Sequence, residues 1–458
     1  MQKASRLSGI DKSVSTGWLG PPYCSHIEAK ENLMFLPAKA TNTAGDLLFV
    51  STLFPIDEAG AVVRSDAISP YVGESTVATQ TRHVLHELQR ILETERSRME
   101  QVLKVEVQLA VAEDFHEFKV AWAEMFGDTP PARTTVVIGE EDWILPGCRV
   151  AIAATAIAGG SSLERETIHT DEAPDPMPYE HVPQATKAGP WVFPSALTAC
   201  DFESGIPVGK RLPRFPYYAN DATAQAHYVL DNVDKVCRAA GTAISNTVKS
   251  QLYEPDLHTF PDVDAVWAEK MPVPPTRSSM GAVDLLVPRA VFQANLIVVA
   301  PDEDHQIAET REGISWHPVD IRKVNFTPGL KVGDDWLFLA GQVAAPDYVS
   351  GDTITSPPDM PHYASSIEIQ TEATMGLLMS QITANGFALA DVVDARIYLV
   401  HAQRDYRGFD RAWRKIYAEH GVTEFPSMNI IASRQRNGDT GIMWPGPEIE
   451  IDLIAKRS

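Results

Sequence analysis

Residues 45–51 read Gly-Asp-Leu-Leu-Phe-Val-Ser, a glycine turn that leads into an apolar strand. The pattern returns at 189–195 as Gly-Pro-Trp-Val-Phe-Pro-Ser and at 333–340 as Gly-Asp-Asp-Trp-Leu-Phe-Leu-Ala. The three opening glycines are 144 residues apart in both intervals. Self-similarity at a fixed period indicates that the chain contains three copies of one structural unit.

A helical pattern that starts from a glutamine follows each of these strands. Gln80, Gln225 and Gln370 are 145 residues apart in both intervals. In the first copy the apolar residues that follow are Val84, Leu85, Leu88 and Leu92. This spacing forms one helix face, which must pack on another layer, and we expect that layer to be a sheet. The second helix of each copy carries an aromatic residue before Ala-Glu, at Trp122, Trp267 and Tyr417. We interpret the two tryptophans as core residues.

The order of elements in every copy is strands, helix, strand, helix and strands. The middle strand alternates, as Val105, Val107 and Leu109 do, so one of its faces should be buried by the helices. This order predicts an α+β fold with helices on one face of a mixed sheet. The predicted domains are 1–159, 160–302 and 303–458, with cores at 37–159, 177–302 and 325–458. The stretches 159–183 and 301–329 are interpreted as linkers or wrapping arms, and residues 1–36 as an extension without a counterpart.

The composition predicts a soluble globular chain. Of 458 residues, 39 are Lys or Arg and 61 are Asp or Glu, which gives a net charge of −22. Nucleic acid is not expected as a partner, because phosphate binding needs clustered cations. No membrane span is expected, since no apolar run is long enough. Four scattered cysteines predict a reducing, cytoplasmic location without disulfides. The motifs of nucleotide cofactors and metal sites do not occur, so neither a cofactor nor a metal is expected.

Several segments of the first copy together carry a resemblance to a known family. They are 45–51, then Gln-Thr-Arg-x-Val-Leu from Gln80, then Val-Leu-Lys-Val-Glu-Val from Val102, then Pro-Pro-Ala-Arg-Thr-Thr-Val from Pro130. The second copy repeats the last of these as Pro-Pro-Thr-Arg-Ser-Ser from Pro274, and the third keeps Gly341-Gln342 and the closing Ile-Glu-Ile-Asp that ends at Asp452. In this order the segments resemble the reactive intermediate deaminase (Rid, RidA-like) family.

The resemblance implies a chorismate-mutase-like α+β fold that normally trimerises, with ligand clefts between neighbouring units. Three copies in one chain would then form an intramolecular pseudo-trimer around a quasi-threefold axis. Each sheet would be covered by its own helices on one face and would present an apolar face to the other two sheets. Such a chain needs no partner chain, so we expect a monomer or a pair of pseudo-trimers.

The resemblance also implies a reaction and a set of site residues. The reaction is hydrolysis of an enamine or imine small acid to a keto acid and ammonia, without metal or organic cofactor. Arg133 and Arg277 would bind the substrate carboxylate, because a guanidinium can hold it in a bidentate fork. Ser51, Ser195, Gly341 and Gln342 would line the neighbouring cleft, and Asp452 would orient the attacking water.

This sequence departs from the family pattern in ways that keep alternatives open. The third copy has Ser427-Met428-Asn429 where the arginine should stand, and Arg434 and Arg436 follow in a longer loop. No single copy holds both an arginine at the clamp position and a carboxylate on the closing strand. The arginines could instead be surface or salt-bridged residues, the serines could be satisfied core hydroxyls, and Asp452 could face solvent. The second hypothesis is therefore a non-catalytic protein that binds small acids or serves as a scaffold.

Overall fold

The helices and strands of the computed structural model form three groups that follow one another along the chain. The described residues are 37, 39–66, 73–141, 143–176, 181–200, 221–314, 325–344, 366–443 and 446–457. The N-terminal extension proposed for residues 1–36 lies outside them.

The first group contains five strands and two helices. They are β1 (Thr41–Ala44), β2 (Leu47–Leu53), α1 (Thr76–Thr94), β3 (Val102–Leu109), α2 (Phe115–Phe126), β4 (Ala132–Val137) and β5 (Val150–Ile157). The strand order in the sheet is β1-β2-β5-β3-β4, with β3 and β4 parallel and the other pairs antiparallel. Helix α1 begins after Ser75, whose hydroxyl accepts a hydrogen bond from the Ala78 N–H (3.2 Å) and so caps the helix.

The second and third groups repeat this arrangement. The second contains β6 (Glu166–Ile168), β7 (Ala185–Ala188), β8 (Trp191–Pro194), α3 (Asp221–Ala239), β9 (Thr247–Glu254), α4 (Phe260–Lys270), β10 (Thr276–Gly281) and β11 (Gln293–Val299). The third contains β12 (Ile307–Thr310), β13 (Gly329–Val332), β14 (Trp336–Leu339), β15 (Gln342–Val343), α5 (Ser366–Ala384), β16 (Val392–Leu399), α6 (Ala402–Glu419), β17 (Ser427–Ala432) and β18 (Ile449–Lys456). In the second sheet the order is β10-β9-β11-β8-β7-β6, and in the third it is β12-β13-β14-β18-β16-β17 with β15 also on β18.

Two of these strands correct the interpretation of the connectors. Strands β6 and β12 lie in the stretches interpreted as linkers or wrapping arms, and each adds an edge strand to the sheet that follows it. They are only three and four residues long and mostly exposed, so their sequences carry little periodicity. The α+β prediction, with helices packed on mixed sheets, is confirmed.

Each pair of helices buries one face of its own sheet. In the first group the helix residues Val84 and Leu88 pack with the strand residues Val105 and Val107 in one apolar cluster. Trp122 and Trp267 are fully buried, which confirms their interpretation as core residues. Truncation of such side chains to alanine typically costs about 3–5 kcal/mol of folding free energy.

The opposite faces of the three sheets meet in the interior. One apolar cluster there draws residues from all three groups, among them Phe49, Trp191 and Trp336, and the rings of Trp191 and Trp336 lie 5.0 Å apart. The sequence predicted that these faces would be apolar, but they also contain charged side chains. Lys104, Lys249 and Arg396 are also buried, each on the strand that pairs with the parallel edge strand of its sheet. A buried cation needs a partner, and the partners of these residues lead to the candidate site.

Candidate active site

Three joints connect the sheets, and each brings a predicted arginine position to the next sheet. At the first joint the Arg133 N–H donates to Ser195 Oγ (3.2 Å). At the second joint the Gly341 N–H donates to the Arg277 carbonyl (3.2 Å). At the third joint the Met428 N–H donates to Ser51 Oγ (2.9 Å). The residues that the resemblance assigns to the clefts are therefore neighbours across the sheets.

Both serine hydroxyls make two hydrogen bonds with backbone groups. Ser51 Oγ also donates to the Lys39 carbonyl and Ser195 Oγ to the Pro183 carbonyl, each at 2.6 Å. Both side chains are buried. These bonds fix the joints, and the predicted role of the serines in substrate binding stays a prediction.

The two arginines are buried between a strand and a helix, so they do not lie at the surface, but Arg277 is salt-bridged, as the alternative interpretation also allowed. Arg277 Nη1 lies 2.6 Å from Asp264 Oδ1 of α4, and its Cζ lies 5.1 Å from the Phe260 ring. Arg133 Cζ lies 4.8 Å from the Trp122 ring of α2. Stacking on aromatic faces is typical of Arg and fixes the plane of the guanidinium.

Asp452 lies in the second joint, close to the strand that carries Arg277. Its Oδ2 accepts a hydrogen bond from Ser278 Oγ (2.7 Å), and Lys249 Nζ lies 2.8 Å from Oδ1. The side chain is completely buried, so the interpretation of Asp452 as a solvent-facing residue is wrong. The strand that carries the arginine of the second unit and the carboxylate of the third unit therefore meet across the joint, although neither unit holds both residues.

Glu450 is the residue of this joint that the sequence argument left without a role. It lies two positions before Asp452 on β18 and is likewise buried. A β-carbon at Gly341 would collide with Glu450 Oε1 and lie 2.6 Å from Ser278 Oγ, so only glycine allows this close approach. Burial and the neighbouring Asp452 hold the pKa of Glu450 well above its usual range, which favours the protonated carboxyl. The alternation Glu-Ile-Asp, which puts both acids on one strand face, was the signal that could have found it.

Gly341 and Gln342 complete the second joint. Gln342 lies on β15, opposite Ile451 of β18, and is fully buried. Its Nε2 donates to the Gly341 carbonyl (3.0 Å). The structure thus brings four of the predicted site residues together: Arg277, Gly341, Gln342 and Asp452.

The first joint has amides where the second has acids. Thr134 Oγ1 donates to Asn295 Oδ1 (2.9 Å), as Ser278 does to Asp452. Gln293 precedes Asn295 by two positions, as Glu450 precedes Asp452. The first joint therefore repeats the geometry of the second with different chemistry.

At the third joint a buried carboxylate is already paired. Asn429 Nδ2 donates to Glu106 Oε2 (2.8 Å), and Arg396 Nη2 lies 2.5 Å from Glu106 Oε1. Arg436 pairs with Asp284 instead (3.2 Å), and Arg434 donates to the Gly438 carbonyl (2.9 Å). Neither arginine takes the position that Met428 leaves without a charge.

A further buried acid, Glu254, lies on the helix side of the second joint. It accepts a hydrogen bond from Thr259 Oγ1 (2.9 Å), and burial raises its pKa to about 8. The described residues contain no group of three His, Cys, Asp or Glu side chains placed to hold a metal ion. Within the same ranges, none of the helices combines the length and apolarity that a bilayer crossing requires.

Glu254 makes the stability of the protein depend on pH. Since its folded-state pKa of about 8 lies above the ordinary value of 4.5, the stabilising contribution is complete below about pH 4.5 and is lost as the pH rises through 8. We expect the melting temperature of the wild type to fall relative to that of Glu254→Gln between pH 5 and pH 8.5. Thermal unfolding of both proteins across this range measures the effect, and parallel curves would contradict it.

Comparison with known proteins identifies the family. The family model described as Endoribonuclease L-PSP matches residues 38–158 and 202–299. A RutC family protein of Pyrococcus horikoshii is 34% identical over 96 residues, which cover 21% of this chain and 68% of that protein. The chain belongs to the Rid/RutC family.

Two Rid relatives with named activities are also similar to this chain. The 3-aminoacrylate deaminase RutC of Acinetobacter baylyi is 29% identical over 120 residues, 26% of this chain and 86% of that protein. The chloroplastic Reactive Intermediate Deaminase A of Arabidopsis thaliana is 29% identical over 128 residues, 28% of this chain and 62% of that protein. Among solved structures, yeast Mmf1 covers 30% of this chain and 99% of its own at 22% identity and a TM-score of 0.25. A chorismatase covers 78% of this chain and 93% of its own at 12% identity and a TM-score of 0.43.

Proposed function

We propose that this Rid/RutC protein hydrolyses an enamine or imine small acid to a keto acid and ammonia at the second joint. The observation that carries the proposal is that Glu450 and Asp452 of the third unit lie against Ser278 and Gly341, beside the strand of Arg277, whose charge acts on Glu450. The deaminase names of two relatives support the same reaction class.

In the proposed mechanism Arg277 binds the substrate carboxylate. Asp264 and the aromatic rings around Arg277 hold its guanidinium in one plane, so the fork is oriented before the substrate arrives. A bidentate pair of this kind fixes both the position and the angle of the substrate.

Glu450 exchanges the protons of the reaction. The neutral carboxyl first protonates the imine nitrogen, and the resulting carboxylate accepts a proton from the water that adds to the carbon. The same proton then goes to the amine as the C–N bond breaks, and the carboxylate takes up the hydroxyl proton as the C=O bond forms, which releases ammonia and leaves the keto acid. The net reaction consumes one water, and Glu450 returns to its neutral form.

Asp452 assists Glu450 electrostatically in this mechanism. Asp452 is completely enclosed by Ser278, Lys249 and their neighbours, whereas Glu450, which is 6% exposed, lies against Gly341. Its negative charge favours the protonated form of Glu450. The proposal therefore moves the proton exchange from Asp452, which the resemblance implied, to Glu450.

We also propose that the cores 37–159, 177–302 and 325–458, within domains 1–159, 160–302 and 303–458, form an intramolecular pseudo-trimer. The three joints and the apolar cluster shared by all three sheets support this arrangement. Light scattering should then give a monomer or a pair of chains. A cytoplasmic location remains a prediction.

Replacement of the two arginines tests the proposed site. We expect Arg277→Ala to weaken binding of a non-reactive keto acid by about 1.5–3 kcal/mol, the usual range for hydrogen bonds to a charged group, and to lower ammonia release. Arg277→Lys should recover only part of the lost affinity, because lysine cannot form a bidentate pair with the carboxylate. Calorimetric titration and an ammonia assay with imino acid from a coupled oxidase measure both effects.

Arg133→Ala is the matched control, because it removes the equivalent arginine from the joint that has Gln293 and Asn295 where the second joint has Glu450 and Asp452. Ammonia release should persist in this variant. Activity that depends on Arg133 and not on Arg277 would move the site to the first joint. Tight binding of acids by the wild type without turnover of any imino or enamino acid would favour the non-catalytic binding protein.

A further inference from the structure

Two buried polar atoms beside Arg277 have no hydrogen-bond partner among the described residues. One is Glu254 Oε1 and the other is Ser279 Oγ. Both side chains are more than nine-tenths buried. Because an unsatisfied buried polar atom costs about 1–3 kcal/mol, such atoms at a candidate site indicate a missing binding partner.

The register of β9 and β10 places these two residues next to Arg277. The strands are parallel, with Ser250 opposite Arg277 and Leu252 opposite Ser279. Alternation puts Arg277 and Ser279 on one face of β10, and Glu254 follows Leu252 on the same face of β9. The charge of Arg277 also acts on the Glu254 carboxyl. The three residues thus form one polar row beneath α4.

The other units lack this row. At the position of Glu254 the first unit has Leu109, which lies opposite Val137. The third unit has Leu399, which lies opposite Ala432. At the position of Ser279 the first unit has Thr135, whose Oγ1 accepts a hydrogen bond from Arg133 Nε (3.0 Å), and the third has Ile430. A buried acid in place of leucine is costly, so it calls for a purpose specific to the second unit.

We propose that Glu254 and Ser279 form a subsite that binds a hydroxyl group on the substrate, so that the second joint prefers hydroxylated small acids to alkyl ones. The inference rests on the proposed function, since Arg277 must hold the carboxylate of the same molecule. Glu254 Oε2 accepts from Thr259, which leaves Oε1 of the neutral acid as the donor. A ligand hydroxyl accepts from Oε1 and donates to Ser279 Oγ, which satisfies both atoms.

The test compares two non-reactive keto acids, 2-oxobutanoate and 4-hydroxy-2-oxobutanoate, by calorimetric titration. The titrations use the Arg133→Ala variant as the background protein. Of the two arginines predicted to bind a carboxylate, only Arg277 then remains. We expect the hydroxylated acid to bind at least about 10-fold more tightly, the ratio that about 1.4 kcal/mol of hydrogen bonding gives. Glu254→Leu, which installs the residue of the other two units, should abolish this preference and leave the affinity for 2-oxobutanoate nearly unchanged.

Controls separate the subsite from the fold and from the clamp. Ser279→Ala should reduce the preference, Glu254→Gln should keep part of it, and Thr135→Ala at the first joint should not change it. If both acids bind equally to the background protein and to Glu254→Leu, the subsite is wrong while the Arg277 clamp stands. If neither acid binds to the folded background protein, in which Arg277 is intact, then Arg277 does not bind the substrate carboxylate. The hydroxyl subsite is then wrong as well.

Discussion

Replacing Lys249 with alanine is expected to lower the free energy of unfolding by about 3–5 kcal/mol, because removal of one member of a buried ion pair leaves the other charge without compensation. Lys249 and Asp452 are both completely buried, and their charged atoms are 2.8 Å apart. The Lys249 ammonium also donates to the Leu339 carbonyl (2.5 Å), so the side chain ties the second sheet to the third at two points. Urea unfolding monitored by tryptophan fluorescence measures the loss.

The matched control is an exposed ion pair of similar length. Arg411 lies 2.5 Å from Glu368, but its side chain is 64% exposed, so Arg411→Ala should change stability little. The double variant Lys249→Met/Asp452→Leu should recover much of the loss, since an apolar pair of similar volume needs no compensation. Equal effects of Lys249→Ala and Arg411→Ala would show that the interior pair is well hydrated and that the sheets are held together by other contacts.

The largest effect on activity is expected from Glu450→Gln. The amide keeps the size of the carboxyl but cannot exchange the proton, so ammonia release should fall by about 10²–10⁴-fold, the usual contribution of general acid–base catalysis. Because the active form of Glu450 is protonated, kcat/KM of the wild type should fall as the pH rises through its elevated pKa. Steady-state ammonia release over a range of pH measures both.

Gln293→Ala provides the comparison for Glu450→Gln, because Gln293 holds the equivalent position at the first joint. It should leave the pH profile as it is in the wild type. A profile that keeps its shape in Glu450→Gln would assign the proton exchange to a different group, and Asp452→Asn would be the next variant to test.

The repetition and the layer order could be predicted from the sequence because they depend on local spacing. Glycine turns, helical faces and alternating strands repeat at intervals of 144 and 145 residues, and each unit folds accordingly. The short edge strands β6 and β12 could not be predicted, because three or four residues carry no recognisable period and gain their structure from the neighbouring strand.

The composition of the site could be predicted only in part. The motifs predict four site residues, Arg277, Gly341, Gln342 and Asp452. They do so within single units, and no unit holds both the arginine and the carboxylate of the site. The strand of Arg277 reaches Asp452 because β10 of the second sheet lies against the third sheet, and contacts between units depend on tertiary packing that no local pattern encodes. The polar residues Lys104 and Glu106 alternate with the apolar ones of β3, so the second face of that strand was visible in the sequence, but its partners were not.

The three joints of this protein are encoded by different residues of a single chain. In an assembly of three identical chains a substitution at one interface appears at all three, so a harmful change cannot be confined. Here Arg133, Arg277 and Met428 occupy equivalent places and are free to differ. Mutation can therefore explore one interface while the others preserve the fold, and an engineer can do the same by installing an arginine at Met428 or acids at Gln293 and Asn295 without disturbing the second joint.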